Sequence, residues 1–211
     1  KRAGHILGAA IVTVFVKGEH QQKSIVFSGD LGRQTDPILP PPEVIKKADV
    51  LFVESTYGDR ENPDANVKED MASIINDAIA RKGCILIPAF SVGRTQNMLF
   101  YIRDLMYEKA IPEMEVFMDS PMAISATEIY ARHPEDHKLS DVAIENDDSF
   151  LNLGRNLIVA QTKEASIYLN SKAKNAIIIS ASGMMSGGRV LHHLYHRLPN
   201  KNDTLMIVGF Q

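Results

Sequence analysis

The first part of the chain, up to Tyr57, has short apolar runs separated by polar residues and prolines. The apolar runs are residues 9–16, 24–27 and 48–53. Runs of this length, rich in valine, isoleucine and phenylalanine, predict β-strands, and the third is predicted to be buried and to end at Glu54. The polar residues 17–23 predict a hairpin connection between the first two strands, and the prolines before the third predict an extended loop.

After Tyr57 the pattern alternates between helical periodicity and short apolar runs. Strands are predicted at residues 84–88, 116–118, 157–160, 176–180 and 205–208, and helices at about residues 66–81, 92–109, 122–131, 162–171 and 188–197. Ser91 is predicted to cap the second helix, and residues 134–150 to form a charged loop. Strands that alternate with helices favour a mainly parallel sheet flanked by helices, so the predicted fold class is α/β.

The composition is that of an ordinary globular protein. The 211 residues are 45% hydrophobic and 23% charged, with a formal net charge of −3. This charge argues against a surface coated in basic residues, but it does not exclude RNA as a substrate, because the charge inside one cleft governs such binding. The single cysteine, Cys84, cannot form an internal disulfide, which fits a reducing cytoplasm. No apolar run approaches the roughly 20 residues that cross a bilayer.

Three motifs place an ionisable side chain beside small residues at the edge of an apolar run. They are Gly-His-Ile-Leu-Gly-Ala at residues 4–9, Phe-Ser-Gly-Asp at residues 27–30 and Glu-Ser-Thr-Tyr-Gly at residues 54–58. In this order and spacing they resemble motifs of the metallo-β-lactamase superfamily, in its β-CASP branch of RNA- and DNA-processing nucleases. Further matching segments, at residues 88–94, 119–123 and 180–189, extend the resemblance over nearly the whole chain. The chain resembles in particular bacterial ribonucleases similar to the nuclease subunit of the cleavage and polyadenylation specificity factor.

The resemblance implies a domain division and a set of catalytic roles. Residues 1–57 would be a partial metallo-β-lactamase domain, and residues 58–211 a β-CASP domain. His5 and Asp30 would be zinc ligands, with Asp30 shared between two ions, and Glu54 would orient a metal-binding histidine. Asp30 and Glu54 are therefore the predicted catalytic residues. On its own, a lone histidine is more often structural, and a strand-end glutamate more often caps the following turn.

Some of the family's metal motifs do not occur in this sequence. The His-x-His-x-Asp-His string is absent, as are two later histidine motifs, and the chain starts at Lys1 and stops at Gln211 where relatives continue. The sequence therefore predicts an internal piece of a longer enzyme. A catalytic zinc usually has three protein ligands, so this piece is expected to bind zinc weakly or not at all and to be inactive alone. Exposed strand edges predict self-association into a homo-oligomer.

Two glycine-containing loops, at residues 88–95 and 182–189, run from a predicted strand into a predicted helix. Free backbone N–H groups and the helix dipole make such loops suitable for anions. The predicted contacts with RNA phosphates are Ser182, Gly183, Ser186, Gly187 and Arg94, with Arg189 and Ser91 as further contacts. In the alternative interpretation, the glycines permit tight turns and the arginines pair with surface acids.

The remaining histidines are predicted to have no catalytic role. His192, His193 and His196 lie near one another in a predicted helix, but no glutamate stands in the position of a His-Glu-x-x-His zinc motif. They are interpreted as surface or interface residues. His133 and His137 lie in the charged loop and are predicted to be solvated.

The function that follows is a zinc-dependent phosphodiesterase, a ribonuclease that cuts single-stranded RNA in the cytoplasm. One alternative is a non-catalytic β-CASP scaffold that binds nucleic acid or a protein partner. Another is a hydrolase of the same superfamily that acts on thioesters or lactams. The segments after residue 58 argue against that last alternative, because hydrolases of small substrates do not need them.

Overall fold

A computed structural model describes residues 1–19, 21–59, 66–139, 153–172 and 174–209 of the chain. By compactness the chain divides into two units. Unit 1 comprises Lys1–Asp64 with His133–Asp141, and unit 2 comprises Ala65–Arg132 with Val142–Gln211. The domain boundary predicted from the motifs, after residue 57, stays a prediction.

Unit 1 contains a three-stranded sheet in the order β1-β2-β3. The strands are β1 (Val12–Lys17), β2 (Gln22–Phe27) and β3 (Val50–Phe52). Strands β1 and β2 are antiparallel, as the predicted hairpin requires, and β2 and β3 are parallel. The long proline-containing segment between β2 and β3 makes that parallel pairing possible, because a tight turn cannot join parallel neighbours.

The core of unit 1 is small, and β3 is not buried as predicted. Ala3, Ile11 and Val26 form the buried cluster. All three residues of β3 are exposed, and Phe52 stacks on Phe27 with ring centroids 4.9 Å apart. An apolar run is suited to burial, but burial needs a covering layer, and the described residues of unit 1 place none over β3.

Unit 2 contains five parallel strands in the order β6-β5-β7-β4-β8, which confirms the predicted mainly parallel sheet. The strands are β4 (Ile85–Pro88), β5 (Val116–Asp119), β6 (Leu157–Val159), β7 (Ile177–Ser180) and β8 (Thr204–Leu205). Strand β8 is shorter than predicted and begins one residue earlier. Every residue of β4, β5 and β7 is buried, so these three strands form the centre of the sheet.

Five α-helices lie in the described part of unit 2, close to their predicted positions. They are α1 (Val67–Ala80), α2 (Arg94–Tyr107), α3 (Pro121–Arg132), α4 (Lys163–Lys172) and α5 (Val190–Arg197). Short 3-10 turns occur at Pro134–Asp136 in unit 1 and at Gly154–Asn156 in unit 2. None of the described helices combines the length and apolar character that a membrane crossing needs.

The predicted cap of α2 is wrong, because Gly93 and not Ser91 precedes the helix. Gly93 has a φ of +81°, a conformation that glycine adopts without strain. Its N–H donates to the Gln96 side-chain oxygen at 2.7 Å, so a side chain of the first helical turn caps the start of the helix. The Ser91 hydroxyl lies instead 3.1 Å from the Ser120 hydroxyl.

The unit 2 core lies on both faces of the sheet. On one face Leu86, Phe117 and Ile178 pack with residues of α4 and α5. On the other face the Thr127 hydroxyl of α3 approaches the Met118 sulfur at 3.9 Å. Because all five strands are parallel, their carboxyl ends lie at one edge of the sheet. The loops that follow β4, β5 and β7 therefore emerge side by side, the usual place for a ligand in such sheets.

Candidate functional site

In unit 1 the predicted ligands His5 and Asp30 lie on two segments that pair with each other. Gly4 and Leu31 form an isolated antiparallel bridge. Residues on either side of a bridged antiparallel pair lie opposite one another, so the bridge places His5 opposite Asp30. Both residues are exposed to solvent. The first two motifs thus meet in space although their ionisable residues are 25 positions apart.

The glycines of these two motifs allow the close approach. A Cβ on Gly32 would lie 1.8 Å from the Gly4 carbonyl oxygen, so no side chain fits there. The Gly32 N–H donates to the Ala3 carbonyl at 2.8 Å. Gly4 itself has a φ of +71°, and its Cβ would lie 2.7 Å from the Pro40 carbonyl oxygen. The glycine spacing is therefore a packing requirement of this pairing.

The third motif joins the same place through Glu54. Its carboxylate accepts from the Thr56 N–H at 3.0 Å and from the Leu31 N–H at 3.1 Å. These backbone donors, the Thr56 N–H first, lower the pKa of Glu54 below its usual value, and nearby His5 adds a smaller effect in the same direction. The Glu54 N–H donates to the Ser28 hydroxyl at 3.0 Å. Glu54 therefore caps its own turn and also fixes the segment that carries Asp30.

By donor type, these residues fit zinc. Zinc binds histidine nitrogen and carboxylate oxygen, and His5 and Asp30 offer one of each. Both carboxylate oxygens of Glu54 already accept backbone N–H groups, which suits an orienting role better than direct ligation. Among the described residues, one group of three possible metal ligands has all its ligand atoms within 4.8 Å of one another. It consists of His133, Glu135 and Asp136, at the surface 3-10 turn.

In unit 2 the two predicted anion-binding loops are in contact. A Cβ on Gly183 would lie 2.8 Å from both the Phe90 ring and the Phe90 backbone nitrogen. This contact follows from the sheet, since β4 and β7 are parallel neighbours and the two loops follow their carboxyl ends. Arg94 is the first residue of α2 and is half-buried. The structure thus gathers all five predicted substrate-binding residues at one edge of unit 2.

The segment 182–188, here called the glycine loop, is folded back on itself. The Ser182 N–H donates to the Gly187 carbonyl at 3.3 Å, and the Met185 N–H donates to the Ser182 carbonyl at 3.2 Å. The Ser182 hydroxyl is buried and has no hydrogen-bond partner among the described residues. Ser186 is exposed, and a Cβ on Gly187 would have no atom within 4 Å. The loop therefore presents open backbone at its Ser186–Gly187 end.

A buried aspartate that sequence reasoning gave no role, Asp119, lies beside these loops. It ends β5 and is 0% exposed. Its carboxylate accepts from the Ser166 hydroxyl at 2.6 Å, from Arg189 Nη1 at 2.7 Å and from His193 Nε2 at 2.6 Å. The signal was present in the sequence, because an aspartate at the end of a fully apolar strand must find buried partners.

Two sequence interpretations change because of Asp119. Arg189 was expected to contact phosphate, but its guanidinium also donates to the Ala160 carbonyl at 2.7 Å and to the Gln161 carbonyl at 3.0 Å. His193 was expected at the surface and is instead 0% exposed. A buried histidine needs a polar partner, and Asp119 supplies it.

The predicted exposure of the other histidines is right for some and wrong for one. His192 and His196 are exposed, as predicted. His133 is exposed and lies 3.1 Å from a Glu135 oxygen. His137 was predicted to be solvated but is buried, and its Nδ1 accepts from the Leu139 N–H at 3.3 Å.

Asp119 is held ionised by its surroundings. Burial alone would raise its pKa, but the hydrogen bonds from His193, Ser166 and Arg189 outweigh that effect and lower the pKa below its usual value. His193 Nε2 faces an oxygen that accepts only, which assigns the hydrogen to Nε2. His193 Nδ1 has no hydrogen-bond partner among the described residues.

Comparison with known proteins gives a consistent set of similarities. Residues 95–211 match the family described as the Beta-Casp domain. The chain is 32% identical over 213 residues to a ribonuclease of Thermus thermophilus, covering 100% of this chain and 48% of that protein. It is 29% identical over 216 residues to the transcription termination factor FttA of Methanocaldococcus jannaschii, covering 99% of this chain and 33% of the factor. An RNase J-like protein of the same archaeon is 28% identical over 215 residues, with 99% and 48% covered. The chain spans between a third and a half of the length of these curated relatives.

Proposed function

The chain belongs to the β-CASP family, and from this membership we propose that the protein containing it is a zinc-dependent phosphodiesterase that cleaves single-stranded RNA in the cytoplasm. The observation that carries the proposal is the meeting of three motifs in unit 1. His5 and Asp30 lie opposite each other beside the Gly4–Leu31 bridge, and Glu54 accepts from the Leu31 N–H. Histidine and carboxylate groups held at the ends of such segments are what metal-assisted hydrolysis needs.

In this proposal His5 and Asp30 are the residues that would hold zinc. Zinc, when bound, lowers the pKa of water and offsets negative charge on an attacked phosphate. Glu54 keeps the Asp30 segment in place through the Leu31 N–H, and we propose that it also orients a histidine outside this chain. Because Glu54 is already ionised and hydrogen-bonded, it needs little reorganisation to accept from an imidazole N–H.

RNA binding is assigned to the glycine loop of unit 2 and to Arg94. The loop offers the backbone and hydroxyl of Ser186 and the open backbone of Gly187. The Ser182 hydroxyl also lacks a partner among the described residues, but it is buried and would reach RNA only if the loop opens. Backbone N–H groups and hydroxyls bind phosphate without reading bases. This supports cleavage that depends on the sugar–phosphate chain more than on sequence.

The first experiment measures cleavage of an end-labelled single-stranded RNA by the product of the complete reading frame, with zinc. We expect cleavage by the wild type and its loss in Asp30→Ala. The matched control is Glu19→Ala, which removes an exposed carboxylate in the β1–β2 turn and is expected to cleave normally. Tight binding of RNA without cleavage would favour the non-catalytic scaffold instead.

A second variant tests the glycine loop. Gly187→Ala has room for its methyl group, whereas Gly183→Ala would collide with Phe90. We therefore expect Gly187→Ala to fold normally and to raise the KM for RNA, because the methyl group covers backbone that faces the phosphate. An unchanged KM in a folded Gly187→Ala protein would remove the loop from the binding site.

For the 211-residue chain alone, we propose weak zinc binding, no cleavage and self-association. The motifs supply two side-chain ligands, His5 and Asp30, where a catalytic zinc typically has three. The exposed apolar residues of β3, an edge strand among the described residues, support pairing between chains. Stoichiometric zinc that survives dialysis against a chelator and is lost in His5→Ala would contradict the first statement. A monodisperse monomer at high concentration in light scattering would contradict the last.

A further inference from the structure

We propose that Asp119 is a positioning residue that sets the conformation of the glycine loop through Arg189 and His193, without touching RNA. The inference rests on the proposed function, since it concerns the loop assigned to RNA phosphates. It adds to that proposal a buried residue and two partners, and it removes Arg189 from the list of phosphate contacts.

Asp119 has a fixed place at the sheet edge. It is the last residue of β5 and pairs in register with Ser180, the last residue of β7. The Ser180 hydroxyl donates to the Asp119 carbonyl at 3.1 Å. The glycine loop begins two residues after Ser180. Asp119 and the start of the loop are therefore attached to the same rigid pair of strands.

The Asp119 side chain reaches the other end of the loop. Arg189 follows Gly188 directly, and His193 lies one turn further along, in α5. Both donate to the carboxylate, at 2.7 and 2.6 Å. The start of α5 is thereby fixed against β5. With one end of the loop on β7 and the other on this carboxylate, the loop conformation depends on Asp119.

The backbone on the two sides of the loop is also in close contact, which further restricts the loop conformation. The Val190 N–H donates to the Ala181 carbonyl at 3.0 Å. Gly188 has a φ of +78°, and a Cβ there would lie 2.7 Å from the same Ala181 oxygen. The backbone segments that enter and leave the loop, at Ala181 and at Gly188–Val190, are therefore in direct contact. A shift of Arg189 would move both segments.

The contacts of Arg189 support a role in holding the loop in place rather than in binding RNA phosphate directly. Nη1 donates to both Asp119 and the Ala160 carbonyl, and Nη2 donates to the Gln161 carbonyl. Its charge is compensated by a carboxylate that is 0% exposed. We therefore expect the phosphate contacts of the loop to come from backbone N–H groups and hydroxyls. A purely structural role for the network, with no effect on RNA, is the competing explanation.

Three variants separate these explanations, each measured for RNA affinity and thermal stability in an Asp30→Ala background, so that the RNA stays intact. Asp119→Asn removes the charge that holds Arg189 and His193. Ser166→Ala is the matched control, since it removes one hydrogen bond to the same carboxylate from α4, away from the loop. Arg189→Gln, checked for folding by circular dichroism, provides a second test if Asp119→Asn does not fold.

We expect Asp119→Asn to weaken RNA binding about tenfold, because a displaced loop no longer matches the phosphates. Ser166→Ala should lower the melting temperature and leave the affinity within about twofold. Arg189→Gln should weaken binding while the slope of log affinity against log salt stays unchanged. A direct phosphate contact by Arg189 would instead reduce that slope by about 0.7, as expected for one contact to a single strand.

Several outcomes would overturn the inference. They are unchanged or tighter binding by Asp119→Asn, a reduced salt slope in Arg189→Gln, or affinity losses that simply follow the stability losses in all three variants. If the background protein does not bind RNA at all, the proposed function fails together with the inference. Binding by the background protein with unaltered affinity in folded variants contradicts the inference alone.

Discussion

Strand β7 in unit 2 and strand β3 in unit 1 are both short apolar runs, but β7 is buried and β3 is exposed. Ile177, Ile178 and Ile179 in β7 are at most 1% exposed, whereas Leu51 and Phe52 in β3 are both 56% exposed. Strand β7 has neighbours on both sides and helices over the sheet. Strand β3 is an edge strand without a covering layer in the described residues of unit 1. An apolar run therefore specifies a strand, and its neighbours decide its burial.

The same contrast holds for the carboxylates. Asp119 in unit 2 is fully buried and accepts from three side chains. Glu54 in unit 1 is partly exposed and accepts from two backbone N–H groups. A buried carboxylate stays ionised because of its hydrogen-bond partners, whereas a partly exposed carboxylate is also stabilised by water. The two units should thus respond very differently to the loss of a carboxylate.

The largest expected effect is that of Asp119→Ala. Removing one partner of a buried ion pair leaves the other uncompensated, at a cost of about 4 kcal/mol in the free energy of unfolding. Chemical denaturation followed by circular dichroism measures this cost. The control is Glu128→Ala, which breaks an exposed ion pair with Arg132 in the same unit and should cost less than about 1 kcal/mol. Equal costs would mean that burial of Asp119 has no energetic consequence.

The Asp119 contribution also has a defined pH dependence. Its pKa in the folded protein lies below the usual aspartate value, so folding favours the ionised form. The stabilisation is fully present above the unfolded pKa, about 3.9, and is lost as the pH falls through the folded value. Unfolding measured between neutral and strongly acidic pH should show a smaller acid loss in Asp119→Asn than in the wild type.

The next largest effect tests the strand comparison itself. Ile178→Ala should cost about 3 kcal/mol, because it leaves a cavity at the centre of the unit 2 core. Leu51→Ala, on exposed β3, should change the free energy of unfolding by about 0.5 kcal/mol or less. Hydrogen exchange assigned to β7 and to β3 separates the two units. A large loss of protection in unit 1 from Leu51→Ala would show that β3 is covered in solution, as in the proposed self-association.

A smaller effect is expected for Glu54→Gln. The amide keeps one acceptor oxygen, but its NH2 group replaces an oxygen that accepts a backbone N–H, so one of the two hydrogen bonds is lost and unit 1 should lose about 1 kcal/mol. The amides of Leu31 and Thr56, which donate to Glu54, should exchange faster, and that of Met118 in unit 2 should not. The pKa of Glu54 is lowered, so its contribution is present above the usual glutamate pKa and is lost as the pH falls through the folded value. A uniform change in exchange over both units would contradict a local role.

Periodicity predicted the architecture of unit 2 because its local signals agree with its packing. Fully apolar runs became β4, β5 and β7, and helical stripes became α1 to α5, within a few residues. Some of the misses are residues whose environment is set by a distant partner. His193 is buried because Asp119, 74 positions away, accepts its N–H. Gly93 precedes α2 in place of Ser91, whose hydroxyl lies beside that of Ser120.

The candidate site divides in the same way. Motif order placed His5, Asp30 and Glu54 on segments that the structure brings together, and it placed the glycine loop at the edge of the sheet. What the motifs could not show is which polar groups are already engaged. Arg189 looked suited to phosphate in sequence, and the structure adds that three of its hydrogen bonds go to Asp119 and to two carbonyls. Charge alone identifies a candidate contact, and the buried acid that pairs with it became visible only in the structure.

The smallest expected effect concerns Cys84, which packs in the unit 2 core beside Leu86 and Ile178. Burial raises the pKa of its thiol to about 12, so almost no thiolate forms at mildly alkaline pH. Because the thiolate is the reactive form, an alkylating reagent should leave the folded chain unmodified and label it once in concentrated guanidinium chloride. The chain has a single cysteine, so mass spectrometry of the intact protein reads the result directly. Rapid labelling without denaturant would mean that unit 2 opens at β4, and the contrast between a closed unit 2 and an open unit 1 sheet would no longer hold.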